Sequence, residues 1–224
     1  MIKNISNLGD AALYCDFGNE VNKDINSEVV KFFKAIKEKN IEGINNLTPS
    51  YNKLIISYDL RIINFKKIKE VIENLDINES QKTVNKKLEI PVCCDALFSL
   101  DIERLEKKLN LKKDKILENF FNKEYFCYMT GFIAGMPFLG DLDMNMRAQR
   151  LETPRVKVPK GSVGLTEQFA NIYTFESPGG WNIIGNTPLD IFDSSKEKMP
   201  NLINPGDVIV FKKITLDEFK NYNE

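Results

Sequence analysis

The chain has 224 residues, 42% of them hydrophobic and 28% charged, with a formal net charge of -1. That length fits one large domain or two small ones, and the apolar content is enough for a sizeable core, which excludes a disordered chain. The balanced charge excludes a basic footprint for nucleic acid and a polybasic membrane anchor, and no run approaches the ~18 continuous apolar residues of a membrane span.

Met1-Ile2-Lys3-Asn4 runs at once into mixed polar sequence and lacks the apolar stretch of a signal peptide, so the cytoplasm is the expected location. Ala11 to Phe17 alternates loosely and predicts a strand closed by Gly18. Asn26 or Ser27 can N-cap a helix running to about Lys39, with Val29, Val30, Phe32, Phe33 and Ile36 at helical spacing. Pro49 and Ser50 predict a turn before a strand at 53–58, and a second helix is expected near 64–75, with Phe65, Ile68, Val71, Ile72 and Leu75 on one face. A polar loop at 76–81 and a strand from Lys87 to Cys94 follow. Strands interleaved with two helices suggest a small ferredoxin-like α+β layer over residues 1–88.

The next segment reads as two amphipathic helices, 100–109 and 112–122, with Asp101 and Asp114 near their starts, where the helix dipole favours negative charge. Beyond Glu124 the strands become short and are divided by Gly and Pro: 125–132, 162–165, 172–175, 181–185 and 207–212. That rhythm predicts a mainly β barrel or sandwich over 89–224.

The chain contains no histidine, which excludes Ser-His-Asp and Cys-His catalysis and most transition-metal sites. Cys15, Cys93, Cys94 and Cys127 show no zinc spacing and read as buried reduced thiols. Three segments are candidates for a site. The first, 131–140, sets Gly131, Gly135 and Gly140 among Phe132 and other large apolar residues; it can wall a ligand pocket or simply turn a barrel corner. In the second, Ser177-Pro178-Gly179-Gly180-Trp181, backbone N–H groups can cradle an anion beside the single tryptophan, or form a plain hairpin turn. The third carries Arg155 beside the rigid Pro154, a guanidinium suited to a carboxylate or phosphate, or else a solvated strand face. None of the glycine segments fits a P-loop or a dinucleotide fingerprint.

In order along the chain, these pieces resemble one family. Gly9-Asp10-Ala11-Ala12-Leu13, Thr48-Pro49-Ser50-Tyr51, Ser57-Tyr58-Asp59, Ile90-Pro91-Val92, Gly131-Phe132 to Leu139-Gly140, Thr153-Pro154-Arg155 and Val158-Pro159-Lys160-Gly161-Ser162-Val163-Gly164 carry the first part. Ile172-Tyr173, Glu176 to Trp181, Ile184-Gly185-Asn186-Thr187-Pro188-Leu189, Phe192-Asp193 and Asn204-Pro205-Gly206-Asp207 complete it. The family is that of the B-type subunit of 5-oxoprolinase, also called allophanate hydrolase subunit 1 or the sporulation kinase inhibitor (carboxyltransferase subdomain C and D).

The resemblance implies an α+β N-terminal domain and a cyclophilin-like β-barrel. It also implies a C-type partner subunit of related fold and a third, A-type subunit. The implied reaction opens 5-oxoproline to glutamate with ATP and Mg2+, because a lactam is a poor electrophile until its carbonyl oxygen is phosphorylated. Gly131, Phe132, Gly135, Arg155, Ser162, Tyr173, Ser177, Gly179, Gly180 and Trp181 are the expected lining; no catalytic residue and no metal ligand is assigned.

The sequence departs from the family where polar chemistry is expected. A histidine position falls on Phe120, a Gly-Phe-x-Pro-Gly-Phe-x-Tyr-Leu loop carries Ala134, Met136 and Phe138, a Pro-Arg-Arg segment becomes Gln149-Arg150-Leu151, and a Gln-Thr-Gly segment becomes Phe169-Ala170-Asn171. Loss of polar groups should weaken binding of a charged substrate. Two further readings therefore stand beside the enzyme subunit: a non-catalytic regulator of a sensor histidine kinase, and a diverged small-molecule binding paralogue suited to a less polar ligand.

Overall fold

Asn22, and neither Asn26 nor Ser27, starts the first helix. Its side-chain oxygen accepts the Ile25 N–H at 3.0 Å and caps α1 (Lys23–Lys39), which closes on Asn40 in the left-handed region. Asn26 lies one turn inside, fully buried, and donates to the carbonyls of Ser50 and Tyr51. A residue read as a cap is instead a tether between the helix and a β-turn.

The computed structural model describes residues 2–77, 85–196 and 199–222; most of the polar loop expected at 76–81 lies outside them. The chain divides into two units, Met1–Val84 and Asn85–Glu224. The first contains β1 (Asn4–Asn7), β2 (Ala12–Asp16), α1, β3 (Ile44–Pro49), β4 (Lys53–Tyr58) and α2 (Phe65–Glu73). Its sheet order is β1-β2-β4-β3, antiparallel throughout. In a ferredoxin-like layer the strand beside β2 would follow the second helix; here the N-terminal strand β1 takes that place. Leu13 and Cys15 alternate inward from β2, Leu54, Ile56 and Tyr58 from β4, and they meet Val29, Phe32 and Ile36 of α1 and Ile68 and Ile72 of α2.

The second unit begins with β5 (Lys87–Cys93), α3 (Ile102–Leu109), α4 (Lys113–Phe121), β6 (Glu124–Thr130) and β7 (Pro137–Gly140). There follow β8 (Arg155–Val158), β9 (Ser162–Thr166), β10 (Phe169–Ile172), β11 (Ser177–Gly179), β12 (Asn182–Asn186), β13 (Val208–Ile214) and α5 (Leu216–Lys220). Seven of these strands close a barrel in the order β10-β7-β6-β13-β5-β12-β9, and β8 and β11 form a separate ribbon. The α+β unit followed by a mainly β closed barrel is the fold class expected. The strand expected at 172–175 lies earlier, at Phe169–Ile172.

Period two divides each barrel strand between the interior and an outer face. Val163 and Leu165 of β9, Ala170 and Ile172 of β10, Leu139 of β7 and Ile184 of β12 fill the interior, with Leu105 of α3 and Ile116, Leu117 and Phe120 of α4. Phe120 stacks on Phe211 with ring centroids 4.8 Å apart. It is a core residue, so its substitution for histidine shapes the barrel interior and not the candidate pocket. The four cysteines are buried and free; burial pushes the Cys94 thiol up to about 12, which removes it as a nucleophile at neutral pH. No helix among the described residues is long and apolar enough to cross a membrane.

Candidate functional site

The outer face of β10, β9 and β12 gathers a second, smaller cluster of Met136, Val158, Tyr173 and Ile183, with Ile133 and Trp181 against it. Asn171 of β10 and Gly164 of β9 are register partners on this face. An added Cβ at Gly164 would stand 2.8 Å from Asn171 Oδ1 and 3.1 Å from Trp181 Cβ, so the glycine lets an amide and an indole share one floor. Phe138 of β7 meets the edge of Trp181 at 5.5 Å. Tyr173 closes over Gly179: a Cβ there would lie 2.1 Å from the phenolic oxygen.

Three polar atoms in this region are buried without a hydrogen-bond partner among the described residues: Asn171 Oδ1, Tyr173 Oη and Ser177 Oγ. Ser177 and Gly179 alternate onto the same face of β11, the face that meets Tyr173. Each unsatisfied buried group costs roughly 1–3 kcal/mol, so their concentration marks a place prepared for a polar ligand or bound water. Burial pushes the Tyr173 hydroxyl up; the Asn171 side chain and the Trp181 backbone, near Oη but outside hydrogen-bond geometry, and the guanidinium groups of Arg150 and Arg155 pull the other way. Tyr173→Phe is expected to leave stability unchanged or raise it by up to ~1 kcal/mol, because it removes an unsatisfied buried hydroxyl. Urea denaturation followed by Trp181 fluorescence checks this; a loss beyond that size would mean the hydroxyl is satisfied in the folded chain.

Arg155 is committed elsewhere. Its guanidinium donates to both carboxylate oxygens of Asp101, at 2.9 and 2.6 Å, and Asp101 Oδ2 also accepts the Ile183 N–H at 2.7 Å. Asp101, at the start of α3, makes no side-chain cap bond; the buried carboxylate fastens β8 and β12 together. The expected free anion receiver is therefore one half of an ion pair. The cation beside the bend at 177–181 is Arg150, exposed and without a carboxylate contact among the described residues, with Nε 3.5 Å from the position of a Cβ on Gly180. Its backbone is held at several points: the Arg150 carbonyl accepts from Arg104, Leu151 N–H donates to Gly180 O at 2.7 Å, and the Gln149 carbonyl accepts from Asn182 at 3.1 Å. Asn182 also donates to Leu165 O and accepts from Arg104.

The corner 131–140 reaches this region through Ile133, Met136 and Phe138, not through the expected lining residues Gly131, Phe132 and Gly135. Gly131 packs on Met129, Gly135 has positive φ with its open side filled by Phe192, and Phe132 points to solvent, 71% exposed. Ser162 is buried at the start of β9, where its carbonyl accepts the Tyr173 N–H at 2.9 Å. Tyr173, Ser177, Gly179, Gly180 and Trp181 are brought together as expected residues. Asn171 and Arg150 were visible only as departures from the family's Gln-Thr-Gly and Pro-Arg-Arg segments and Gly164 only as the end of the 158–164 motif; the positioning pair Arg104–Asn182 had no signal.

Residues 3–203 match the model of the carboxyltransferase domain, subdomain C and D. The B-type subunit of 5-oxoprolinase from Bacillus subtilis (strain 168) is 32% identical, the alignment covering 98% of this chain and 96% of that protein. A crystal structure of the protein TTHA0988 superposes with a TM-score of 0.82 at 27% identity over 91% of this chain, which spans 40% of that longer one. A conserved uncharacterized protein from Pyrococcus horikoshii is 35% identical, covers 96% of this chain with all of its own length, and superposes with a TM-score of 0.58. By the extent of the family match and by near end-to-end alignment with a 5-oxoprolinase component, the chain belongs to the carboxyltransferase subdomain C and D family.

Proposed function

We propose that this chain is the B-type subunit of an ATP-dependent 5-oxoprolinase, which opens 5-oxoproline to glutamate together with a C-type and an A-type subunit in the cytoplasm. The observation that carries the reading is the set of unpartnered buried atoms at Asn171, Tyr173 and Ser177, in a chain that aligns almost end to end with the B-type component of a 5-oxoprolinase. A lactam presents one N–H donor and one carbonyl acceptor. Asn171 Oδ1 is an acceptor and the two hydroxyls are donors or acceptors, so together they complement that edge. Tyr173, Ser177, Gly179, Gly180 and Trp181 form the lining in this reading.

ATP would supply the activation that a lactam lacks. The residues here do not fit a Mg2+-bound triphosphate: no group of three carboxylate, cysteine or histidine ligands gathers among the described residues, and Arg155 is neutralised by Asp101. We therefore assign the nucleotide and its metal to the partner subunits, and substrate holding to this chain. On this assignment the chain alone is inactive.

The test is to assemble the chain with its C-type and A-type partners and follow 5-oxoproline-dependent ATP hydrolysis and glutamate release. Activity in the complex and none from the chain alone is the expected result. An assembled complex without activity above background rejects the reading, and recovery of a sensor histidine kinase in place of the C-type subunit would favour the regulator.

A further inference from the structure

We infer that Arg150 is the carboxylate anchor of this site and that Arg155 is not; the inference rests on the 5-oxoprolinase reading and assigns the charged end of its substrate. Two observations lead to it. The first is the state of the two arginines at the 177–181 turn: Arg155 is the register partner of Gly179, and Arg150 lies against Gly180. Arg155 spends its fork on Asp101, so the pair contributes no net charge. Arg150 has no carboxylate contact among the described residues, and it stands against Gly180, at the end of the bend whose other glycine touches Tyr173.

The second is how firmly the Arg150 backbone is fixed. Ala148 O accepts from Glu167 N–H at 2.7 Å and Thr166 Oγ1 at 3.1 Å, and the next three residues are tied by Asn182, Arg104 and Gly180. A long exposed side chain on a loop ordinarily has no fixed address. Here its root is strapped to β9, β12 and Gly180 of the bend, beside buried polar atoms that lack partners.

One uncompensated guanidinium supplies one positive charge and a planar pair of donors. That matches a single carboxylate, whereas a polyphosphate requires several cations. The ligand class is thus a small carboxylic acid whose remainder carries a hydrogen-bonding amide. Asn171, Tyr173 and Ser177 take the amide edge and Arg150 takes the acid.

Trp181 is the single tryptophan of the chain, so its fluorescence reports this site alone. Titration of the full-length chain with 5-oxoproline should shift Trp181 emission saturably. Arg150→Gln should weaken that binding by ~10- to 100-fold, the usual loss on deleting a charge-assisted hydrogen bond, and Arg150→Lys by less. 2-Pyrrolidinone, the same ring without the acid, should bind weakly and equally to wild type and Arg150→Gln. The same variants in the assembled complex should raise KM for 5-oxoproline with little change in kcat. Arg150 is exposed, so both variants should melt with wild type. An unchanged affinity and KM in Arg150→Gln, with wild-type turnover intact, overturns the anchor and leaves the 5-oxoprolinase reading standing. An inactive complex in which acetate or glutamate shifts Trp181 through Arg150 keeps the anchor and rejects that reading. No carboxylate response in wild type overturns the anchor.

Discussion

Replacing Asp101 with alanine is expected to destabilise the barrel unit by about 3–5 kcal/mol, the range found when one partner of a buried ion pair is removed. The carboxylate is 4% exposed and serves three donors: two from Arg155 and the Ile183 N–H. Alanine leaves that N–H and the guanidinium facing each other across the join of β8 and β12. Asp101→Asn should cost less, since its oxygen can still accept from Ile183. A double variant, Asp101→Ala with Arg155→Met, should recover much of the loss, because the stranded charge is then gone. Urea denaturation followed by Trp181 fluorescence isolates the barrel transition. A single variant within about 1 kcal/mol of wild type would place this pair with ordinary surface ion pairs. Ligand binding at Arg150 should survive at temperatures where the Asp101 variants remain folded, which separates the structural arginine from the binding one.

That distinction shows where sequence reasoning stopped. Arg155 beside Pro154 has the local features of an anion receiver, but its partner lies 54 residues earlier, at the start of a different element. Helix amphipathicity located α1 to α4 because their buried faces repeat within a few residues. Long strands with strong inward alternation, such as β4, were equally legible. β1 and β3 were not: both are edge strands of polar, half-exposed sequence, Asn4–Asn7 and Ile44–Pro49, with little contrast between faces. β8 and β11 are only four and three residues long, and their pairing with each other is set by tertiary context. The helix starts at Asn22 and not at the expected Asn26 or Ser27: asparagine has the same capping chemistry at positions 22 and 26, and only the β-turn carbonyls that Asn26 binds decide between them. The glycines of the bend were found, but each glycine's purpose depends on which side chain lies opposite.

The adjacent glycines of the bend make that dependence measurable. Neither has a positive φ, so alanine introduces no backbone strain at either position, and only the contact of the new methyl group matters. At Gly179 it would lie 2.1 Å from Tyr173 Oη and 2.7 Å from Cζ. Tyr173 is 1% exposed and packed against Met136, Val158 and Ile183, so any retreat of the ring has to displace these neighbours. Gly179→Ala is therefore expected to lose ~1–3 kcal/mol by overpacking, with displacement of Tyr173 and a changed Trp181 emission in the folded state. At Gly180 the nearest atom to the methyl group is Arg150 Nε at 3.5 Å, an ordinary contact with a side chain that can move. Gly180→Ala should stay within ~0.5 kcal/mol of wild type and act only on ligand affinity. If the bend were merely a tight turn, the two substitutions would have similar effects on stability. A large difference between neighbours, with the loss confined to Gly179, ties the second glycine of the bend to the cation and the first to the phenol.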